Sequence, residues 1–180
     1  MAKLRKFSSY KRLERPYTRV SKFKKKSYIK GNPHKNIVRF EVGNSKKEFD
    51  YTLYLTSKTG VQIRDNALES ARQTCNRLLE PTLGLGAFFI KLRIYPFQIL
   101  RENPLASGAG ADRFSTGMQK SFGKPIANAA QVKKGQTIFE VRVDKVNLDL
   151  AKKSLQRALK KIPCSCIIKI IENKKTALAE

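Results

Sequence analysis

The stretch from residue 113 to residue 124 interleaves cations with large apolar side chains and glycines. Its cations are Arg113, Lys120 and Lys124, its apolar side chains are Phe114, Met118 and Phe122, and its glycines are Gly117 and Gly123. Cations bind phosphates, aromatic rings stack on bases, and glycine lets a backbone approach a ligand closely. This combination indicates a surface that binds RNA. The alternative is an ordinary surface loop followed by a packed turn, which many proteins contain.

A segment with little side-chain bulk precedes these cations. Residues 105–111 consist mainly of glycine, alanine and serine. Gly108 and Gly110 allow backbone angles that other residues avoid. The sequence therefore predicts a long flexible loop at 101–117.

The overall charge favours a polyanionic partner. Lysine and arginine total 38 residues against 14 aspartates and glutamates, which gives a net charge of +24. An excess of this size destabilises a folded chain by self-repulsion unless a polyanion is bound. A membrane surface is the rival polyanion, but no apolar run reaches the roughly 20 residues of a spanning helix, and the C-terminal tail lacks the Trp/Leu face of an interfacial helix. The charge therefore favours nucleic acid and predicts no membrane contact.

The first 30 residues are the most basic part of the chain. They hold 12 cations and a single acid, Glu14, with Tyr10, Tyr17, Phe23 and Tyr28 among them. Such a segment buries too little apolar surface to fold alone, so we expect it to order only on a partner. The spaced aromatic rings favour an extension that threads through RNA. The alternatives are a disordered solubilising tail or a nuclear-type address.

The hydrophobic pattern predicts an α+β fold. Strands are predicted at 38–42, 49–55, 88–95, 126–132, 137–143 and 167–171, and helices over 63–79 and 148–162. Short turns between the first two strands, and between the strands at 126–132 and 137–143, favour hairpins. We expect a mostly antiparallel sheet of about six strands with two amphipathic helices packed on it.

The same pattern divides the chain into three parts. Residues 1–33 form the basic extension, 34–173 form a single α+β RNA-binding domain that contains the flexible loop, and 174–180 form a frayed tail. Arg64 and Arg72 lie off the apolar stripe of the first helix, and we expect them to contact RNA.

The sequence predicts no metal, no cofactor and no enzymatic activity. An odd count of cysteines without a signal peptide indicates a reducing compartment. Cys164 and Cys166 suggest a metal, but structural zinc needs four ligands, so we interpret both as small buried hydrophobic residues. His34, the only histidine, has no acidic neighbour in sequence, and the acids form no catalytic pair.

One segment resembles a known signature. ADRFSTGMQKSFGKP at 111–125, followed by IANAAQV and KKGQ, resembles a universal large-subunit ribosomal protein family called L-sixteen in bacteria and L-ten-e in archaea and eukaryotes. The similarity includes ALESARQTCNRLL at 67–79 and FFIKLRIYPFQILREN at 88–103. Length and the first 30 residues are similar to the archaeal branch.

The resemblance implies a structural constituent of the large ribosomal subunit that binds rRNA near the aminoacyl-tRNA site and the peptidyl transferase centre. It implies as partners large-subunit rRNA, neighbouring ribosomal proteins and, transiently, tRNA, with no homo-oligomer, in the cytoplasm within the ribosome. The expected rRNA contacts are Lys3, Arg5, Lys6, Arg12, Arg15, Arg19, Lys24, Lys25, Lys26, Arg64, Arg72, Arg113, Lys120 and Lys124. The expected tRNA-proximal loop contains Asn103, Pro104, Ser107, Gly108, Gly110 and Asp112.

Two other functions fit the composition. The first is an RNA-binding or RNA-modifying factor outside the ribosome, which the missing catalytic groups disfavour. The second is a basic protein that compacts DNA. The aromatic-threaded tail and the irregular loop favour RNA over DNA.

Overall fold

The structure, a computed structural model, describes residues 5–14, 16–17, 29, 31–106 and 108–173. In chain order its elements are α1 (Ser8–Lys11), β1 (Glu41–Gly43), β2 (Tyr51–Ser57), β3 (Val61–Arg64), α2 (Asp65–Leu83), β4 (Phe88–Leu92), β5 (Gln98–Glu102), α3 (Ala111–Phe114), β6 (Lys124–Val132), β7 (Thr137–Val143), a 3-10 turn (Lys145–Asn147), α4 (Leu148–Leu159) and β8 (Cys166–Glu172).

The strands form two antiparallel sheets. One has five strands in the order β1-β4-β7-β2-β8, and the other has three in the order β3-β6-β5. The predicted α+β class and the antiparallel pairing are confirmed. The described residues contain eight strands in two sheets, whereas the pattern predicted about six strands in one sheet.

One core joins the five-stranded sheet to the two long helices. Leu53 and Leu55 of β2 belong to the same buried cluster as Leu68 of α2 and Leu155 of α4. Each helix contributes an apolar stripe at helical spacing, and each strand contributes alternate residues, as the hydrophobic pattern predicted. Removing this apolar surface from water is the main stabilising contribution to such a fold.

Both predicted hairpins are wrong. β1 pairs with β4, with Val42 opposite Ile90, and not with β2. β6 and β7 follow each other through a turn at 133–136, but they belong to different sheets. Alternation shows that a segment is a strand without showing its partner, because partners are chosen by packing across the whole domain. At Gly43 (φ 96°) the backbone approaches β4 so closely that an added Cβ would lie 2.1 Å from the carbonyl oxygen of Phe88.

The ends of the first long helix also differ from the prediction. Ile63 is fully buried in β3 opposite Ala130, so it belongs to the strand that precedes the helix. Pro81 lies inside the last turn of α2, and the helix ends at Gly84 (φ 76°). A strand that runs directly into a helix keeps apolar residues on the buried side of both, so spacing alone does not separate them.

Candidate RNA interface

The predicted RNA-binding stretch is the connection between β5 and β6. Its two ends are held together because Glu102 of β5 pairs with Lys124 of β6. Asn103 donates from Nδ2 to the carbonyl oxygen of Gly117 at 3.0 Å, which closes the loop a second time. Arg101 belongs to β5 with Glu102, so the connection begins at residue 103 and not at 101.

An arginine between two aromatic rings organises the base of this connection. The guanidinium carbon of Arg101 lies 4.2 Å from the ring centroid of Tyr17 and 3.8 Å from that of Phe122. Its Nη1 donates to the carbonyl oxygen of Phe122 at 2.8 Å. The guanidinium of Arg5 donates in turn to the carbonyl oxygen of Arg101. A cation over a ring face is attracted by the ring quadrupole, so these contacts join the N-terminal segment to the turn before β6.

Glycine is required at the end of this turn. Gly123 has φ 77°, and a Cβ built there would lie 2.5 Å from the carbonyl carbon of Glu102. A left-handed backbone angle and this close approach both exclude a larger side chain. The turn is therefore seated directly on the last residue of β5.

The described part of the N-terminal segment lies against the three-stranded sheet. The backbone N–H of Tyr17 donates to Oε1 of Gln98, and the backbone N–H of Ile99 donates to the carbonyl oxygen of Tyr17 at 3.0 Å. Gln131 donates from Nε2 to the carbonyl oxygen of Glu14 at 3.0 Å. Arg5, Glu14 and Tyr17 therefore hydrogen-bond within the chain, and the ordering of this segment on a partner stays a prediction.

A polar cleft of about 480 Å³ lies where the N-terminal segment meets β5 and the turn. Arginines, hydroxyls and amides line it, among them Arg5, Arg12, Ser8, Ser9, Gln98 and Ser121. Arg12 is exposed at this cleft. Positive charge next to hydrogen-bonding groups suits a phosphate or a ribose.

Beyond the base, the connection exposes its cations together with two apolar side chains. Phe114 is 84% exposed and Met118 is 68% exposed. Arg113 and Lys120 are exposed beside them, and neither forms an ion pair with a described residue. Phe122 differs because Arg101 contacts its ring, which is 42% exposed. The surface open to a ligand therefore contains cations and an uncovered aromatic ring.

The structure places Arg72 differently from the loop cations. Its guanidinium is buried in α2, where Nη2 lies 2.5 Å from Oε1 of Glu69 and Nε donates to Oε2 at 2.9 Å. Burial opposes ionisation of Glu69, but the hydrogen bonds and charge of Arg72 outweigh it and lower the pKa of Glu69. Because this charge is compensated inside the protein, the contact of Arg72 with rRNA stays a prediction without support from its position. Arg64 is half-buried at the end of β3.

The remaining predicted residues fall into two groups. Arg5, Lys6, Arg12, Asn103, Pro104, Gly108, Gly110 and Lys124 are described, and Asp112 lies within the backbone of α3. Lys3, Arg15, Arg19, Lys24, Lys25, Lys26 and Ser107 lie outside the described residues. Contacts of either group with RNA stay predictions.

Sequence reasoning missed the residues that position this surface. Arg101, Tyr17 and Gln98 were not proposed as site residues, yet together they hold the N-terminal segment on the loop base. The sequence offered two signals. Arg101 stands at the start of the predicted loop at 101–117, and Tyr17 is an aromatic residue within the basic N-terminal segment. Neither pattern shows that the two residues meet, because they are far apart in sequence.

On the outer face of the five-stranded sheet, three cations form ion pairs with acids. Lys91 pairs with Glu41 at 2.5 Å, and Arg93 and Arg142 lie 3.2 and 2.6 Å from the fully buried Glu140. Acids therefore compensate all three of these cations on this face. This face of the sheet is therefore less suited than the loop to binding phosphates.

The part of the chain that the structure describes lacks two other kinds of site. Within it, no three His, Cys, Asp or Glu residues are grouped closely enough to hold a metal ion. No described helix combines the length and apolar character that a membrane span requires.

Comparison with known proteins agrees with the resemblance seen in the sequence. Residues 15–169 match the family described as Ribosomal protein L16p/L10e. The chain is 45% identical over 154 residues to the large ribosomal subunit protein uL16 of Archaeoglobus fulgidus, which covers 86% of this chain and 85% of that protein. It is 45% identical over 148 residues to uL16 of Staphylothermus marinus, with 82% of each chain covered. It is 42% identical over 164 residues to uL16 of Hyperthermus butylicus, covering 91% of this chain and 88% of that protein. The match spans β1 to β8 and includes the anchored, cation-rich connection between β5 and β6, and the chain belongs to the ribosomal protein L16p/L10e family.

Proposed function

We propose that this chain is a structural constituent of the large ribosomal subunit and binds large-subunit rRNA next to the aminoacyl-tRNA site and the peptidyl transferase centre. The observation that supports it best is the connection between β5 and β6, which exposes Arg113, Lys120 and Phe114 from a firmly anchored base. Membership of a ribosomal protein family supports the same proposal. Its other partners are neighbouring ribosomal proteins and, transiently, tRNA, within the ribosome.

Binding follows from charge and from pre-organisation. Each lysine or arginine that neutralises a phosphate releases condensed counterions, so affinity is high and falls steeply with salt. Phe114 can stack on an unpaired base, since its ring is uncovered. Two contacts fix the base of the loop before RNA binds: the pairing of Glu102 with Lys124, and the packing of Arg101 on Phe122. Fewer degrees of freedom are therefore lost on binding.

The role of the loop in positioning tRNA rests on the segment from Asn103 to Asp112. Asn103 ties the start of this segment to Gly117, while Gly108 and Gly110 are exposed, with φ of 120° and 80°. A tethered segment with small side chains can approach a bulky ligand such as tRNA closely.

Equilibrium binding to large-subunit rRNA at several salt concentrations tests the rRNA contacts. Replacing Arg113, Lys120 and Lys124 with alanine should weaken binding and reduce the slope of log affinity against log salt by about 0.9 for each lost phosphate contact. The matched control replaces three exposed cations in α4 and directly after it: Lys153, Arg157 and Lys160. The control removes the same charge, so an equal loss in both triple variants would show that only net charge matters and would contradict the proposed site.

The tRNA role has a separate test in reconstituted ribosomes. Deleting residues 105–109 keeps Asn103 and the loop base, so the protein should still assemble into the subunit. We expect slower accommodation of aminoacyl-tRNA at unchanged rRNA affinity. Unchanged accommodation and peptide-bond formation in subunits that retain the shortened protein would show that the loop does not position tRNA.

A further inference from the structure

Two cysteines stand side by side where the chain passes from α4 to β8. Their Sγ atoms are 3.5 Å apart, and only Ser165 separates them in sequence. Both side chains are free thiols that are half-buried against the core, whereas the sequence predicted small buried hydrophobic residues. A separation of 3.5 Å is the contact distance of two sulfur atoms.

The environment distinguishes the two sulfurs. The Cys166 thiol and the Ser57 hydroxyl (3.7 Å) lie within hydrogen-bonding reach of Cys164 Sγ, and these donors lower the pKa of Cys164 to about 7 in spite of burial. The hydrogen bond to Cys164 and burial raise the pKa of Cys166. Cys164 is therefore the nucleophile of the pair and Cys166 is the protonated partner.

A small molecule can reach Cys164 from solvent. Its side chain lines an open cleft of about 690 Å³ between α1, the start of β3 and the end of α4. Lys11 and Lys160 line the same cleft, and its described lining residues include no acid. Positive charge near a thiolate stabilises it and favours attack on an oxidant.

We propose that Cys164 and Cys166 form an oxidisable dithiol that reacts with hydrogen peroxide and closes reversibly to a disulfide. In the first step the Cys164 thiolate attacks one peroxide oxygen, the O–O bond breaks, and the departing hydroxide takes up a proton to form water. The product is a sulfenic acid on Cys164. In the second step the Cys166 sulfur attacks Cys164 Sγ, the S–O bond breaks, and a second water leaves. The dithiol loses two electrons, and they reduce one peroxide to two waters.

The position of the pair connects its redox state to the sheet. Ser57 at the end of β2 pairs with Cys166, and the backbone N–H of Lys58 donates to the carbonyl oxygen of Ser165 at 2.9 Å. The Ser57 hydroxyl donates to the carbonyl oxygen of Thr59 at 2.6 Å and also lies 3.7 Å from Cys164 Sγ, so disulfide formation removes the thiolate charge beside it. The oxidised and reduced forms therefore differ at the contact between β2 and β8.

The third cysteine is an internal control. Cys75 is fully buried between α2 and α4, where its Sγ donates to Ser154 Oγ at 3.3 Å. Burial raises the pKa of Cys75 to about 11. It should remain a reduced thiol under conditions that oxidise the pair.

The test uses the purified full chain, hydrogen peroxide and intact-protein and peptide mass spectrometry, and it needs no RNA. We expect the wild type to lose two hydrogen atoms, to show a Cys164–Cys166 crosslinked peptide, and to regain its mass with a reducing agent. Cys166→Ser should stop at the sulfenic acid, which dimedone traps on Cys164. Cys164→Ser should react much more slowly.

Three results would overturn the proposal. The first is oxidation of Cys75 at the same rate as Cys164 in chain that remains folded by circular dichroism. The second is overoxidation of Cys164 in the wild type without the crosslinked peptide. The third is an unchanged rate of oxidation in Cys164→Ser. Alkylation of Cys75 after unfolding confirms that it stayed reduced.

Discussion

The guanidinium carbon of Arg101 lies 3.8 Å from the centroid of the Phe122 ring. Phe122 belongs to the stretch at 113–124 that is associated with RNA, and Arg101 lies before it in β5. The guanidinium contacts one side of the ring, which stays 42% exposed, and also donates to the carbonyl oxygen of Phe122. The two residues therefore position the binding surface, and the exposed side chains beyond them form it.

Replacing Arg101 with lysine tests this positioning role. Lysine keeps the charge but lacks the planar fork that lies over the ring and donates to Phe122. We expect the free energy of unfolding to fall by about 1 kcal/mol, a typical contribution of a partly buried cation–π pair. Urea unfolding measures the change. Arg113→Lys is the control, since Arg113 is exposed; equal effects in both variants would contradict the role.

Gly123→Ala should destabilise the protein far more than Gly117→Ala. Both glycines have positive φ, 77° and 55°, so each alanine carries the backbone strain of about 1 kcal/mol. Only at Gly123 would the new Cβ also meet backbone atoms, 2.5 Å from the carbonyl carbon of Glu102. The midpoints of thermal unfolding of the two variants distinguish the effect of backbone strain alone from that of strain plus the steric clash of the new Cβ. A similar loss in both would show that the turn moves freely away from β5.

The buried pair of Glu69 and Arg72 predicts a dependence of stability on pH. Because the pKa of Glu69 is lower in the folded state than in the unfolded state, the unfolded state binds the proton more tightly. The pair therefore stabilises the fold fully above the unfolded pKa, and this contribution is lost as the pH falls through the lowered folded pKa. Glu69→Gln should remove that part of the acid-side dependence, measured as the unfolding free energy between neutral and acid pH. An identical pH profile in the variant would contradict it.

Breaking the same pair from the other side should be costly at neutral pH. Arg72→Met leaves the carboxylate of Glu69 in a site where both side chains are only about a tenth exposed. We expect a loss of about 3 kcal/mol, the lower end for an uncompensated buried charge. The double variant with Glu69→Gln should recover part of this loss in a double-mutant cycle. Additive losses would show that the two residues do not interact.

The reactivity of Cys164 should change near neutral pH. Its thiol is the reactive species only when ionised, and its pKa lies at about 7, so the rate of alkylation by iodoacetamide should rise through that pH and level off above it. The hydrogen bond from Cys166 lowers this pKa most, followed by that from Ser57, while burial opposes them. Cys166→Ala removes the first donor, so it should move the midpoint upward. A midpoint in the range of an ordinary exposed thiol would contradict the assignment.

The sequence by itself determined the family, the fold class and the stretch that carries the exposed cations. Strands and helices can be recognised from apolar residues that recur every two and every 3.6 residues, because these periods are local properties of the backbone. The spacing of Leu155 and its neighbours was enough to define the buried stripe of α4. The motif at 111–125 could also be identified from the sequence, because its residue types and their order are contained in one short segment.

Only the tertiary structure decided which strands pair, which cations are compensated by acids and which cysteines lie side by side. β1 pairs with β4 because packing across the domain, and not proximity in sequence, selects the partner. Arg72 and Arg113 look alike in the sequence, but one is neutralised by Glu69 and the other is exposed to solvent. Tyr17 and Arg101 meet although 83 residues separate them. Charge compensation and stacking depend on distances through space, and a linear pattern does not contain them.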